Sequence, residues 1–123
     1  MYQEFNGPWI GDNENGTYKN PILLSDYSDP DVIRVGKDFY MVASSFTYFP
    51  GLPVLHSRDL VNWEIISYAV DKLPFDDYDI PQHGKGVWAP SIRYHNDMFY
   101  VYLQHLMRVY LLVQQMTLMV NGI

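Results

Sequence analysis

Pro30-Asp31-Val32-Ile33-Arg34 runs through a turn at Gly36 into Asp38-Phe39-Tyr40, and Pro90-Ser91-Ile92-Arg93 runs through a turn at His95-Asn96 into Asp97-Met98-Phe99-Tyr100. The second stretch echoes the first about 60 residues on. Each consists of a short apolar run, a turn and an aromatic run, which is the pattern of an antiparallel hairpin. Working outward, strands are expected over residues 32–35, 39–45, 53–57, 63–68, 87–94 and 98–103. Phe49-Pro50-Gly51 breaks the second strand and Arg58-Asp59-Leu60 turns the third into the fourth. Four short strands per unit, repeated at this spacing, are how a propeller blade reads in sequence. The expectation is an all-β chain holding about the first one and a half to two blades. A blade buries its faces against both neighbours, so two blades alone leave apolar surface open.

The composition suits that reading. Of 123 residues, 48% are apolar and 16% are aromatic, with 11 Tyr, 6 Phe and 3 Trp. Flat side chains fit a pleated surface, and the same rings can stack on sugar faces. The net charge is −6, from 14 acidic and 8 basic residues. No basic patch supplies the electrostatic attraction that nucleic-acid binding requires. Cysteine is absent, so no disulfide or thiolate metal site is possible. Met1 to Gly7 lacks the basic and apolar regions of a secretory signal. No run reaches the roughly 18 apolar residues of a membrane span. The expected location is the cytoplasm, with no membrane partner.

Residues 1–19 are polar and rich in Gly and Asn, and read as an irregular arm. Residues 20–103 form the blade region. Within it, residues 71–86 read as a long acidic loop. Asp76, Asp77 and Asp79 lack the ligand spacing of a calcium loop, and are taken as solvated. Arg34 and Arg93 fall on repeated positions of the echo, which argues for structural roles.

Three blocks together resemble family 43 glycosidases. The first is Asn20-Pro21-Ile22-Leu23 with Ser28-Asp29-Pro30-Asp31-Val32-Ile33-Arg34-Val35-Gly36 and Asp38-Phe39-Tyr40-Met41. The second is Ser44-Ser45-Phe46-Thr47-Tyr48-Phe49-Pro50-Gly51 with His56-Ser57-Arg58-Asp59-Leu60-Val61-Asn62-Trp63. The third is His83-Gly84-Lys85-Gly86-Val87-Trp88-Ala89-Pro90-Ser91-Ile92-Arg93-Tyr94. They cover about residues 20–103, and their order is more specific than any one of them. The resemblance implies a five-bladed β-propeller that hydrolyses β-xylosides or α-L-arabinofuranosides by inversion. One carboxylate in such a mechanism activates water, and a second carboxylic acid protonates the leaving oxygen.

By that resemblance Asp29 is the general base, with Asp26 and Asp31 as nearby rivals. Phe46 and Trp88 would wall the pocket of the terminal sugar, and His83 would bond a hydroxyl. Tyr48 and Phe49 could line the mouth of the pocket. Core packing or loop anchoring are the plainer roles for these aromatics, and solvation is the plainer role for His83. The family's general-acid Glu and its pKa-tuning Asp have no match here, since Glu4, Glu14 and Glu64 are misplaced for either. The chain is therefore expected to be inactive alone. No cofactor is implied; some relatives carry a structural calcium, whose ligands are not identifiable here. The other functional reading is a non-catalytic carbohydrate-binding propeller fragment, and the remotest is an unrelated β-domain used for protein contacts.

The resemblance stops after Leu103. Residues 104–123 hold no acidic residue and three of the chain's 6 Met. Codons permitted for this tail can be chosen so that a shifted frame spells TPDEGLFVSTTNDPYGQW, which resembles what the family carries at this point. The expectation is a frameshift near residues 102–104. The other possibility is a true apolar strand or helix.

Overall fold

The computed structural model describes residues 9–71, 83–105 and 108–114. All regular structure among them is strand. The first sheet contains β1 (Asp31–Val35), β2 (Asp38–Val42), β3 (Gly51–Ser57) and β4 (Glu64–Val70), antiparallel in chain order. The second contains β5 (Trp88–His95), β6 (Met98–His105) and β7 (Arg108–Gln114), also antiparallel. The first sheet is a four-stranded blade, and the second carries three strands of the next. The all-β propeller-fragment reading holds.

Both opening hairpins close through two-residue turns, Gly36-Lys37 and Asn96-Asp97. Gly36 has φ 62, and Asn96 and Asp97 have φ 48 and 60. Tight hairpins need such left-handed backbone because it matches the twist of the strands. Equal turns fix the repeat offset, so Ile33↔Tyr40 in one blade corresponds to Arg93↔Tyr100 in the other. This corrects one expectation. Arg34 and Arg93 do not share a repeated position, because Arg34 corresponds to Tyr94 and Arg93 to Ile33. Their bonding differs accordingly. Arg34 donates to the Gly36 carbonyl at 2.9 Å and lies over the Phe39 ring, whereas Arg93 reaches the other blade.

The core lies between the blades. Tyr40, Val42, Leu52 and Val54 from the first sheet meet Ile92, Phe99, Val101 and Leu103 of the second and Val87 just before it, all buried. The Tyr40 and Phe99 rings meet edge to face, 5.0 Å apart. Large side chains buried this way contribute about 1.5–3 kcal/mol each. The period-2 pattern of β6 selects Phe99, Val101, Leu103 and His105 for the buried face.

Strand ends depart from expectation where side chains compete for the backbone. The strand expected to reach Ser45 ends at Val42, because Ser44 and Ser45 turn their bonding toward the second blade. Trp63 stays outside β4, its indole N–H donating to the Leu60 carbonyl at 3.1 Å. Asp59 builds the turn before it. Its carboxylate accepts the Asn62 side-chain amide at 2.9 Å and the backbone amides of Asn62 and Val61 at 2.7 and 2.8 Å, which together pull its pKa down to about 2. Asn62 also donates to Asp12 at 2.8 Å, tying the arm to this turn. The tail contributes β7 over residues 108–114. Asp76, Asp77 and Asp79 lie outside the described residues. No helix among the described residues is long and apolar enough to cross a membrane.

Candidate active site

Where the chain enters β1, Asp29 takes φ 47. Pro30 disfavours right-handed helix at that position, and Asp is one of the few residues that tolerate the left-handed region. The corner leaves Asp29 exposed at the strand's start. Its Oδ2 accepts the hydroxyls of Ser28 at 3.1 Å and Ser44 at 3.4 Å. The Ser44 amide donates to the Ser28 carbonyl at 3.0 Å, which closes the corner against the end of β2.

The same segment meets the second blade. The Ser44 hydroxyl accepts the Ala89 amide at 2.9 Å. Ser45 and Val87 exchange amide–carbonyl bonds of 2.9 and 2.8 Å, and the Gly86 amide donates to the Phe46 carbonyl at 3.0 Å. This seam requires glycine at position 86. A Cβ there would stand 2.0 Å from the Ser45 carbonyl oxygen. Asp29, the Phe46 backbone and the start of β5 at Trp88 are thus drawn to one end of the blades. Phe46 is 41% exposed. Trp88 is partly buried, and its indole N–H is buried with no hydrogen-bond partner among the described residues. His83 is exposed on the turn leading into the seam, Tyr48 is exposed, and Phe49 packs on the core.

Asp31, one of the rivals, is engaged elsewhere. Its Oδ2 accepts the Ser91 hydroxyl at 2.9 Å, the Ile92 amide at 2.9 Å and the Arg93 guanidinium at 2.7 Å. Burial opposes its ionisation, but these donors together hold its carboxyl below the usual range. Asp31 is a tie between blades. Asp26 is exposed on the segment before the corner. Glu64 bonds His56 at 3.2 Å, and His56 also bonds Asp38 at 2.7 Å. That cluster bridges β2, β3 and β4 in the first sheet, while Asp29 lies before β1. Among the described residues no group of three or more His, Asp or Glu is placed to hold a metal ion.

Residues 18–117 match the glycosyl hydrolases family 43. The chain belongs to that family. The match runs past Leu103, where the quoted motifs stop. Among curated relatives, the non-reducing end α-L-arabinofuranosidase of Bacteroides ovatus is 46% identical over 87 residues, covering 69% of this chain and 16% of that protein. A β-xylosidase of Formosa agariphila is 39% identical over 100 residues, 78% of this chain and 17% of that protein. Among solved structures, the family 43 protein BlXynB of Bacillus licheniformis superposes with a TM-score of 0.63 at 44% identity, covering 70% of this chain and 17% of that one. The chain thus spans less than a fifth of the length of these relatives.

Sequence reasoning assigned no role to Ser44, although it quoted the residue. A pair of serines closing an otherwise apolar strand was the available signal, since buried hydroxyls must find partners.

Proposed function

We propose that this chain supplies the base-bearing blade of an inverting glycoside hydrolase acting on terminal xylose or arabinofuranose of xylan- and arabinan-type oligosaccharides. The observation that carries the reading is the Asp29 carboxylate, exposed at a rigid corner and held by two hydroxyls at the seam that Trp88 opens. The names of the relatives, an arabinofuranosidase and a β-xylosidase, supply the substrate class. In this reading Asp29 takes a proton from water as the water oxygen attacks the anomeric carbon. A carboxylic acid on the opposite side gives its proton to the departing glycosidic oxygen. Phe46 and Trp88 wall the sugar, and His83 bonds a hydroxyl at the rim.

No glutamate of the described residues is placed to be that acid, Glu14 being exposed on the arm and Glu64 bonded to His56. The described residues therefore supply the base and not the acid. We also propose that residues 104–123 are read from a shifted frame; the DNA following the codon for Leu103 decides this, and a sequence with no propeller-like continuation in any frame refutes it.

The functional test is a graft. The matching segment of the Bacteroides ovatus enzyme is replaced by residues 18–105 of this chain, and hydrolysis of an aryl α-L-arabinofuranoside is followed. Asp29→Asn should lower kcat by about 10²–10⁴-fold, the usual contribution of a general base. A variant that hydrolyses as fast as the unsubstituted graft would refute the assignment.

A further inference from the structure

Ser44 stands between two equivalent positions. The common turn length places Asp29 of the first blade and Ala89 of the second at the same point in their repeats. Both take left-handed backbone, with φ 47 and 40. Aspartate tolerates this conformation, but alanine adopts it only when held there by its surroundings. At Ala89 the ladder between β5 and β6 is interrupted, its register shifting between Trp88 and Ser91. The amide so released points at the Ser44 hydroxyl, 2.9 Å away.

A serine hydroxyl has one proton and two lone pairs. The Ala89 N–H belongs to the backbone and cannot rotate, so it occupies one lone pair and fixes the hydroxyl's orientation. Among the described residues the remaining partner of the hydroxyl is Asp29 Oδ2, at 3.4 Å. Ser44 itself is 4% exposed, so water does not readily compete for its proton. Oδ2 also receives the Ser28 hydroxyl. Two donors therefore fall on one carboxylate oxygen, and Oδ1 accepts no hydrogen bond among the described residues.

We propose that Ser44 is a positioning residue that couples the Asp29 carboxylate to the second blade, so that Ala89 N–H, Ser44 hydroxyl and Asp29 Oδ2 act as one chain and leave Oδ1 as the oxygen that accepts the proton of water. The inference rests on Asp29 being the base. In the second blade the equivalent position contributes only its backbone donor.

The test uses the full chain labelled with ¹⁵N and ¹³C. In Ser44→Ala the Asp29 Cγ resonance should move, and the Ala89 amide should exchange about tenfold faster, as befits loss of one hydrogen bond. Ser44→Thr, which keeps the hydroxyl, should bring both back toward wild type. Ser28→Ala should move Asp29 Cγ and leave Ala89 exchange unchanged. The amides of β1 and β2 report that each variant is folded. An Asp29 Cγ resonance unmoved in Ser44→Ala, or an Ala89 amide indifferent to the hydroxyl, overturns the coupling. In the graft, Ser44→Ala should lower kcat about tenfold with KM little changed. If the Asp29→Asn graft hydrolyses normally, the base assignment fails, whereas the resonance measurements still decide the coupling.

Discussion

Asp29 and Asp31 are the same residue type two positions apart, and the structure predicts opposite consequences for replacing them. In Asp31→Asn the shape is kept and the charge is lost. The Arg93 pair is exposed, with 61% of the Arg93 side chain open to solvent, so its loss costs only about 0.2–1 kcal/mol. The Ile92 amide and Ser91 hydroxyl exchange a charged acceptor for a neutral one, at about 1 kcal/mol each. The expected total is about 2–3 kcal/mol. Asp29→Asn changes an exposed corner where asparagine accepts the same backbone, so its cost stays within about 0.5 kcal/mol. Urea denaturation at pH 7, followed by tryptophan fluorescence, compares the two.

Acid gives a second signature. Donors from β5 depress the Asp31 carboxyl below its ordinary 3.8. A depressed carboxyl stabilises the fold fully above its unfolded value and loses that contribution as pH falls through the folded one. The gap between wild type and Asp31→Asn should therefore hold from pH 7 to about 5, then close below about pH 4. An Asp29→Asn variant as unstable as Asp31→Asn, or a gap unchanged at pH 2, refutes the division of labour between the two carboxylates.

Gly86→Ala should force the seam apart, since the new Cβ would lie 2.0 Å from the Ser45 oxygen and 2.8 Å from the Phe46 carbonyl carbon. Loss of the three seam bonds costs about 2–4 kcal/mol, measured by urea denaturation. Asp59→Ala should unravel the turn after β3 at a cost of about 1 kcal/mol for so exposed a group. Its pKa near 2 means that this difference persists at neutral pH and fades as pH falls from about 4 toward 2. The unaltered polypeptide should show no turnover of aryl β-xyloside or α-L-arabinofuranoside above the buffer rate, and turnover dependent on Asp29 would contradict the missing-acid argument.

The first six strands and their order were legible in the sequence because alternation and turn chemistry are local. Val32 to Val35 and Met98 to Leu103 announce themselves through apolar period and through the Gly36 and Asn96 turns. The seam was not legible, since Ser44 and Ala89 are 45 residues apart in sequence and neither bears a conspicuous functional group. Alignment by residue type also misled, pairing Arg34 with Arg93 where the turn geometry pairs Arg34 with Tyr94. Among the aspartates, resemblance singled out Asp29, but only three-dimensional partners show that Asp31 is occupied by the second blade. The tail read as foreign by composition, while its backbone pairs with β6 through Arg108–Gln114. Sheet formation needs only apolar alternation, which a composition anomaly does not remove.

Chemical rescue puts the sharpest question to the carboxylate at the blade corner. In the graft carrying Asp29→Ala, hydrolysis should collapse, and added azide should restore consumption of an aryl glycoside with formation of a glycosyl azide of inverted anomeric configuration. Undiminished hydrolysis without azide would show that some other group activates the water.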